Sequence, residues 1–174
     1  GGPRRCHTRS MIRRSGSATF LQGAHSLIAA HVSLVWVPTW EESRLERLLT
    51  QLTTTVFPEP VPLYVWTLSD GLRRGDEPPE PDTADPVAAL RWVLKREASA
   101  LYLFKDLHRV LGRPEVSRLL RDVHHRFEET YHTLFIAAPE LELPVELAKQ
   151  VTLLDLPLPG VDDLDELFTA VCAE

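Results

Sequence analysis

The chain alternates between two hydrophobic rhythms. Val32–Val37 ("VSLVWV") is a nearly continuous apolar run, the signature of a strand covered on both faces. After a short turn, Leu45, Leu48, Leu49 and Leu52 recur at i, i+3, i+4 and i+7, one stripe of an amphipathic helix that opens at Glu41. Thr39 stands three residues before Glu42, the spacing of a capping box. The same alternation continues. A helix over Phe20–Ala30 precedes the first strand, and Val61–Leu68 ("VPLYVWTL") reads as the second. Residues 71–86 ("GLRRGDEPPEPDTADP") form a polar, proline-rich loop without material for a core. The loop ends in Asp85-Pro86, an N-cap with proline at the first helical position, and Val87, Leu90 and Leu94 give the next helix its buried stripe. Ala100–Phe104 is a fully apolar strand. Pro114 opens a helix with Val116, Leu119, Leu120, Val123 and Phe127 on one face. Strands over Thr133–Ala138 and Val151–Leu156 follow, then a helix from about Asp162 carrying Leu164, Leu167, Phe168 and Val171.

Strands that are apolar on both faces, each followed by an amphipathic helix, predict a three-layer α/β fold: a five-stranded parallel sheet with helices on both faces. A length of 174 residues suits one such domain. Charge refines the boundaries. The first 40 residues contain no Asp or Glu, and Arg4, Arg5, Arg9, Arg13 and Arg14 crowd the start. Residues 1–19 therefore read as a basic leader, disordered or non-native, with Met11 as the native start; an organelle transit peptide shares that composition. Residues 20–174 form the domain. The 19 Lys and Arg less those five leave 14 against 25 Asp and Glu. Such an acidic body excludes a nucleic-acid surface, which needs clustered cations. No run approaches the ~18 apolar residues of a membrane span. Cys6 and Cys172 lie at opposite ends without metal-ligand spacing, which points to a reducing, cytoplasmic setting, or to the plastid stroma if the leader is native.

Several stretches resemble a known family. "VTLLDLPLPGVDDLDELF" resembles the closing strand and turn of the AAA ATPase core, "TLFIAAPELELPVEL" its fourth strand and following helix, and "ALYLFKDLH" falls where the Walker B strand belongs. "VPTWEESRLERLL", "LYVWTLSDGL", "DPVAALRWVL" and "FKDLH" resemble the N-terminal half of the uncharacterised AAA ATPase family of plastids, cyanobacteria and other bacteria. The resemblance covers about Phe20–Val171. It implies a P-loop NTPase-like sheet with its first strand central, and an AAA-like domain, its phosphate loop lost, that precedes an intact ATPase domain using ATP and Mg.

The residues bear on that implication position by position. A phosphate loop needs G-x-x-x-x-G-K-[ST], and no such run occurs in the sequence. At the matching place stand Thr39-Trp40-Glu41-Glu42, whose carboxylates use the positive end of the helix that a phosphate would need. Asp106 falls where a Walker B carboxylate would orient Mg, but Leu107 occupies the place of the catalytic Glu, and Ala138-Pro139 the place of a polar sensor. Thr39 and Asp106 are thus the candidate phosphate and Mg positions, and no catalytic or metal-ligating residue is assigned. His124, Glu128 and His132, or His125 with Glu129, share helical offsets that read as a solvated polar face rather than a metal set, and His108 as a loop residue. Trp36, Trp66 and Trp92 read as core or sheet-edge packing. Trp40 either fills the space a nucleotide would use or anchors a partner, the former preferred.

The expected function is that of a non-hydrolysing AAA-like domain that acts as a regulatory or protein-interaction module. Its expected partners are the intact ATPase domain of the same protein, neighbouring AAA subunits or an unknown client, with no nucleic acid and no membrane. No cofactor is expected for this chain. The alternatives are an atypical nucleotide-binding domain using Asp106 for Mg, and a small-molecule-binding doubly wound domain whose strand ends bring Thr39, Asp70, Asp106 and Ala138 together.

Overall fold

Each apolar run becomes a strand whose alternate residues feed two different cores. The computed structural model describes residues 16–160 and Asp163. The elements run α1 (Gly16–Ala29), β1 (Leu34–Pro38), α2 (Glu42–Thr55), β2 (Leu63–Thr67), β3 (Gly71–Arg74), α3 (Pro86–Lys95), β4 (Ala100–Lys105), α4 (Pro114–Phe127), β5 (His132–Ala138) and β6 (Val151–Leu153). Short 3-10 turns cover Leu107–Val110 and Val145–Leu147. Because side chains alternate across a strand, Leu34 and Trp36 of β1 face one way while Val35 and Val37 face the other. The first set joins Tyr64, Trp66, Tyr102, Phe104 and Ile136 beneath α3 and α4. The second joins Val65, Leu101, Leu103 and Phe135 beneath α1 and α2. This is the expected arrangement of a sheet with helices on both faces.

The sheet has six strands, not five, in the order β3-β2-β4-β5-β1-β6. The strands β2, β4, β5, β1 and β6 are parallel, and β3 runs antiparallel to β2. β1 is not central: it lies one strand in from the edge, between β5 and β6, and β4 and β5 occupy the middle.

The extra strand comes from Gly71–Pro86, expected to be loop throughout. Four residues of it pair with β2, from Tyr64 opposite Arg74 to Thr67 opposite Gly71. Gly71 takes φ +82°, and a Cβ there would lie 2.8 Å from the Thr83 Oγ1 and 2.9 Å from the Ala84 nitrogen. The rest of the stretch folds back over β3 and has a buried anchor. Thr83 Oγ1 accepts the Leu72 N–H at 2.8 Å and donates to the Glu80 carbonyl at 2.6 Å. The Thr83 carbonyl accepts from the Trp66 indole N–H at 2.7 Å. Asp85 then caps α3 as expected, accepting from the Ala88 N–H at 3.1 Å, while Arg113 donates to its other oxygen at 2.9 Å.

Other boundaries differ as well, β6 ending at Leu153 rather than Leu156. α1 begins at Gly16, four residues before Phe20. Of the expected final helix, every residue but Asp163 lies outside the described residues, as do Cys6 and Cys172.

Candidate functional site at the carboxyl ends of the strands

Parallel strands end on the same edge of a sheet, so β1, β2, β4 and β5 deliver Pro38, Thr67, Lys105 and Ala138 to one face of the molecule. The Thr39 N–H donates to the Ala138 carbonyl at 3.0 Å and the Asp106 N–H to the Ala137 carbonyl at 2.9 Å, which ties the three loop starts together. Asp70 stays within its own turn, its N–H donating to Thr67 Oγ1 at 3.1 Å and its carboxylate accepting from that hydroxyl at 3.2 Å.

The β1–α2 junction is built differently from the predicted capping box. α2 starts at Glu42 with Glu41 as its N-cap, and no side chain caps it. Thr39 Oγ1 instead accepts the Glu41 N–H at 2.9 Å, two residues on, a tight local turn that leaves Thr39 buried. Trp40 does not fill a nucleotide-sized space: it is 82% exposed on the turn.

Two cations that sequence reasoning passed over complete the junction. Arg44, buried under α1, donates to Glu41 Oε2 at 2.7 Å, to the Pro157 carbonyl at 2.8 Å and to Ser17 Oγ at 3.2 Å. Lys105, at the end of β4, places Nζ 2.8 Å from Glu46 Oε2 and 3.6 Å from Glu42 Oε2. The spacing of Glu42 and Glu46 does put both carboxylates on one helical face, but their cation lies 59 residues beyond Glu46.

Asp106 sits in the left-handed region, φ 56° and ψ 23°, a conformation uncommon for a non-glycine residue. Its carboxylate is 57% exposed, with His108 Nδ1 3.8 Å away. His108 itself is buried in the 3-10 turn rather than a free loop residue. Beside Asp106 an open cleft of about 520 Å3 is lined by Glu42, Trp66, Leu68, Lys105 and Arg109 among others. Thr39 is not among those lining residues, so the two candidate site positions are neighbours in the backbone but do not share a cavity.

The family model described as "SpoVK-like AAA ATPase, N-terminal domain" matches residues 20–156. The chain belongs to this family. Its similarity extends to proteins described as uncharacterized AAA domain-containing protein ycf46. The one from Guillardia theta is 27% identical over 143 residues, covering 81% of this chain and 28% of its own. That from Trieres chinensis is 26% identical over 145 residues, covering 82% and 29%. This SpoVK-like N-terminal domain therefore spans less than a third of the length of these curated relatives.

On the opposite edge of this SpoVK-like domain, at the amino ends of the strands, the histidines are arranged otherwise than expected. α4 ends at Phe127, and His132 is the buried first residue of β5, stacked on Phe127 with ring centroids 4.9 Å apart. It leaves the helical set. His124 and His125 instead converge on Glu128, with His124 Nε2 3.4 Å from one carboxylate oxygen and His125 Nδ1 3.5 Å from the other.

Proposed function

We propose that this chain is a non-hydrolysing AAA-like domain that acts by binding protein, within a longer AAA ATPase whose own ATP and Mg chemistry lies elsewhere in that protein. The reading is carried by the β1–α2 junction. There the helix N-terminus carries Glu41 and Glu42, and two nearby cations are already engaged, Arg44 with Glu41 and Lys105 with Glu46 and Glu42. A nucleotide phosphate would meet two carboxylates and no glycine-rich loop to wrap it, so these residues do not fit one. The parallel order β2-β4-β5-β1-β6 supports descent from a phosphate-binding sheet whose loop has been replaced.

The binding partner is the intact ATPase half of the same protein, a neighbouring AAA subunit or a client protein. Exposed Trp40 and Leu68 flank the strand ends, and Trp is the side chain most enriched among interface anchors. A second reading draws on one observation: Asp106 is exposed beside Arg109 in an open cleft, a carboxylate and a guanidinium that a Mg-bound anion would meet.

Calorimetry with ATP and ADP in the presence of Mg separates the two, run on the full chain and on Asp106→Ala. Our reading expects no heat from either protein. Micromolar binding that Asp106→Ala abolishes would overturn it in favour of the second.

A further inference from the structure

The geometry points to a divalent transition-metal site formed by His124, His125 and Glu128 where α4 ends, on the edge of the sheet away from the junction described above. The ligand atoms of these three side chains all lie within 4.8 Å of one another. His124 and Glu128 are one helical turn apart and share a face, and the ring of His125 leans back to the second carboxylate oxygen.

Proximity alone would describe a surface cluster; His124 adds a built element. Its Nδ1 lies 2.6 Å from Ser33 Oγ, and Ser33 is a buried residue just before β1. A proton on Nδ1, donated to that hydroxyl, would leave the Nε2 lone pair on the side where Glu128 stands. Metal-ligating histidines are held in this way, the second nitrogen bound to a partner that sets ring orientation.

The remaining ligands can close on a metal at little cost. Metal–nitrogen and metal–oxygen bonds of roughly 2.0–2.2 Å require ligand atoms roughly 3.3 Å apart in a tetrahedron. His125 and Glu128 are both exposed and can make that movement by side-chain rotation while His124 stays fixed. Two imidazoles and one carboxylate select Zn²⁺ or another late first-row cation over Mg²⁺ or Ca²⁺, and water would complete the shell. The carbonyls at the end of α4 favour positive charge there. The bound ion would join the end of α4, through Ser33, to the start of β1.

The test uses Zn²⁺ and the full chain, observed through the histidine side-chain nitrogens by NMR. The free protein is expected to show His124 with its proton on Nδ1. Zn²⁺ is expected to shift His124 Nε2 and His125 Nδ1 together, at one ion per chain. His125→Ala and Glu128→Gln alter exposed side chains, so their folding is checked by circular dichroism and their affinity is expected to fall at least ~10-fold. Ser33→Ala removes no ligand, yet is expected to weaken binding by ~10-fold, because Ser33 positions His124. A His124 proton on Nε2, or Zn²⁺ binding that leaves these two rings unshifted or survives both ligand substitutions, would overturn the site.

Discussion

Arg44 and Lys105 both hold carboxylates at the start of α2, yet their substitution should have different consequences. Arg44 is buried and bridges three parts of the fold: the N-cap Glu41, Ser17 of α1 and the Pro157 carbonyl beyond β6. Truncation to Ala strands the buried part of this set, and charged hydrogen bonds of this kind are each worth about 2 kcal/mol. Arg44→Ala should therefore lower stability by about 2 kcal/mol or more. Lys105 meets carboxylates that remain partly in water, and such pairs contribute less than about 1 kcal/mol. Lys105→Met should fall within that limit. Urea denaturation of the two variants decides the matter, and an Arg44→Ala cost no greater than that of Lys105→Met would refute the bridging role. The sequence shows only part of this. Glu41 and Arg44 stand three apart on a helix and are a readable pair, but the Pro157 carbonyl lies 113 residues away. Nothing in local spacing announces it. Trp40 was misread for the complementary reason: its neighbours in the turn do not say whether the indole packs inward or points to solvent.

Among the elements, strands and helices with strong periodicity were legible and the short β3 was not. α2 and α4 present their predicted leucine and valine stripes to the core because each spans four turns of consistent pattern. β3 has four residues, of which Leu72 alone supplies a fully buried side chain, so no period-two signal can emerge above the prolines that follow. Hydrogen bonds at Thr83 hold this element rather than apolar area. Thr83→Val preserves shape while removing both hydroxyl bonds, and it leaves the buried Leu72 N–H without its acceptor. The expected loss is about 2 kcal/mol. Gly71→Ala should cost about as much by a different route, since it places a Cβ at positive φ against Thr83. Hydrogen exchange gives the sharper readout: in Thr83→Val the β3 amides should lose protection while those of β4 and β5 keep theirs. Equal loss across the sheet would mean that the hairpin is not a separable unit.

For the molecule as a whole, the α/β class and the parallel direction of five of the six strands followed from alternation of strand and helix, while the sixth strand and the off-centre place of β1 did not. That no G-x-x-x-x-G-K-[ST] run occurs is visible in the sequence. What closes the junction was not visible, because Lys105 reaches α2 only through the packing of β4 beneath it. His132 shows the same dependence on tertiary context with a measurable consequence. The sequence gives it a helical offset from His124, whereas the fold buries it at the start of β5 between Phe127 and Tyr102. Burial pushes its pKa below the ordinary value of 6.5; Arg126 and Arg96 act in the same direction, and the nearby backbone of Glu97 and Ala100 opposes them. The folded state thus binds this proton less readily than the unfolded chain. Stability should be full above about pH 6.5 and fall as the pH drops through the unfolded-state value, by up to about 1.4 kcal/mol per pH unit until the folded group also titrates. Asp85, held low chiefly by the Arg113 hydrogen bond, loses its contribution only as the pH falls from near 3.8, so the interval from pH 7.5 to 5.5 belongs to histidine. His132→Phe keeps the ring stack and removes the proton site. Its urea midpoint should fall less between those pH values than that of the parent chain, with a residual slope because His124 is shifted in the same direction. Parallel curves for the two proteins would show that the buried ring at the start of β5 does not couple folding to protonation.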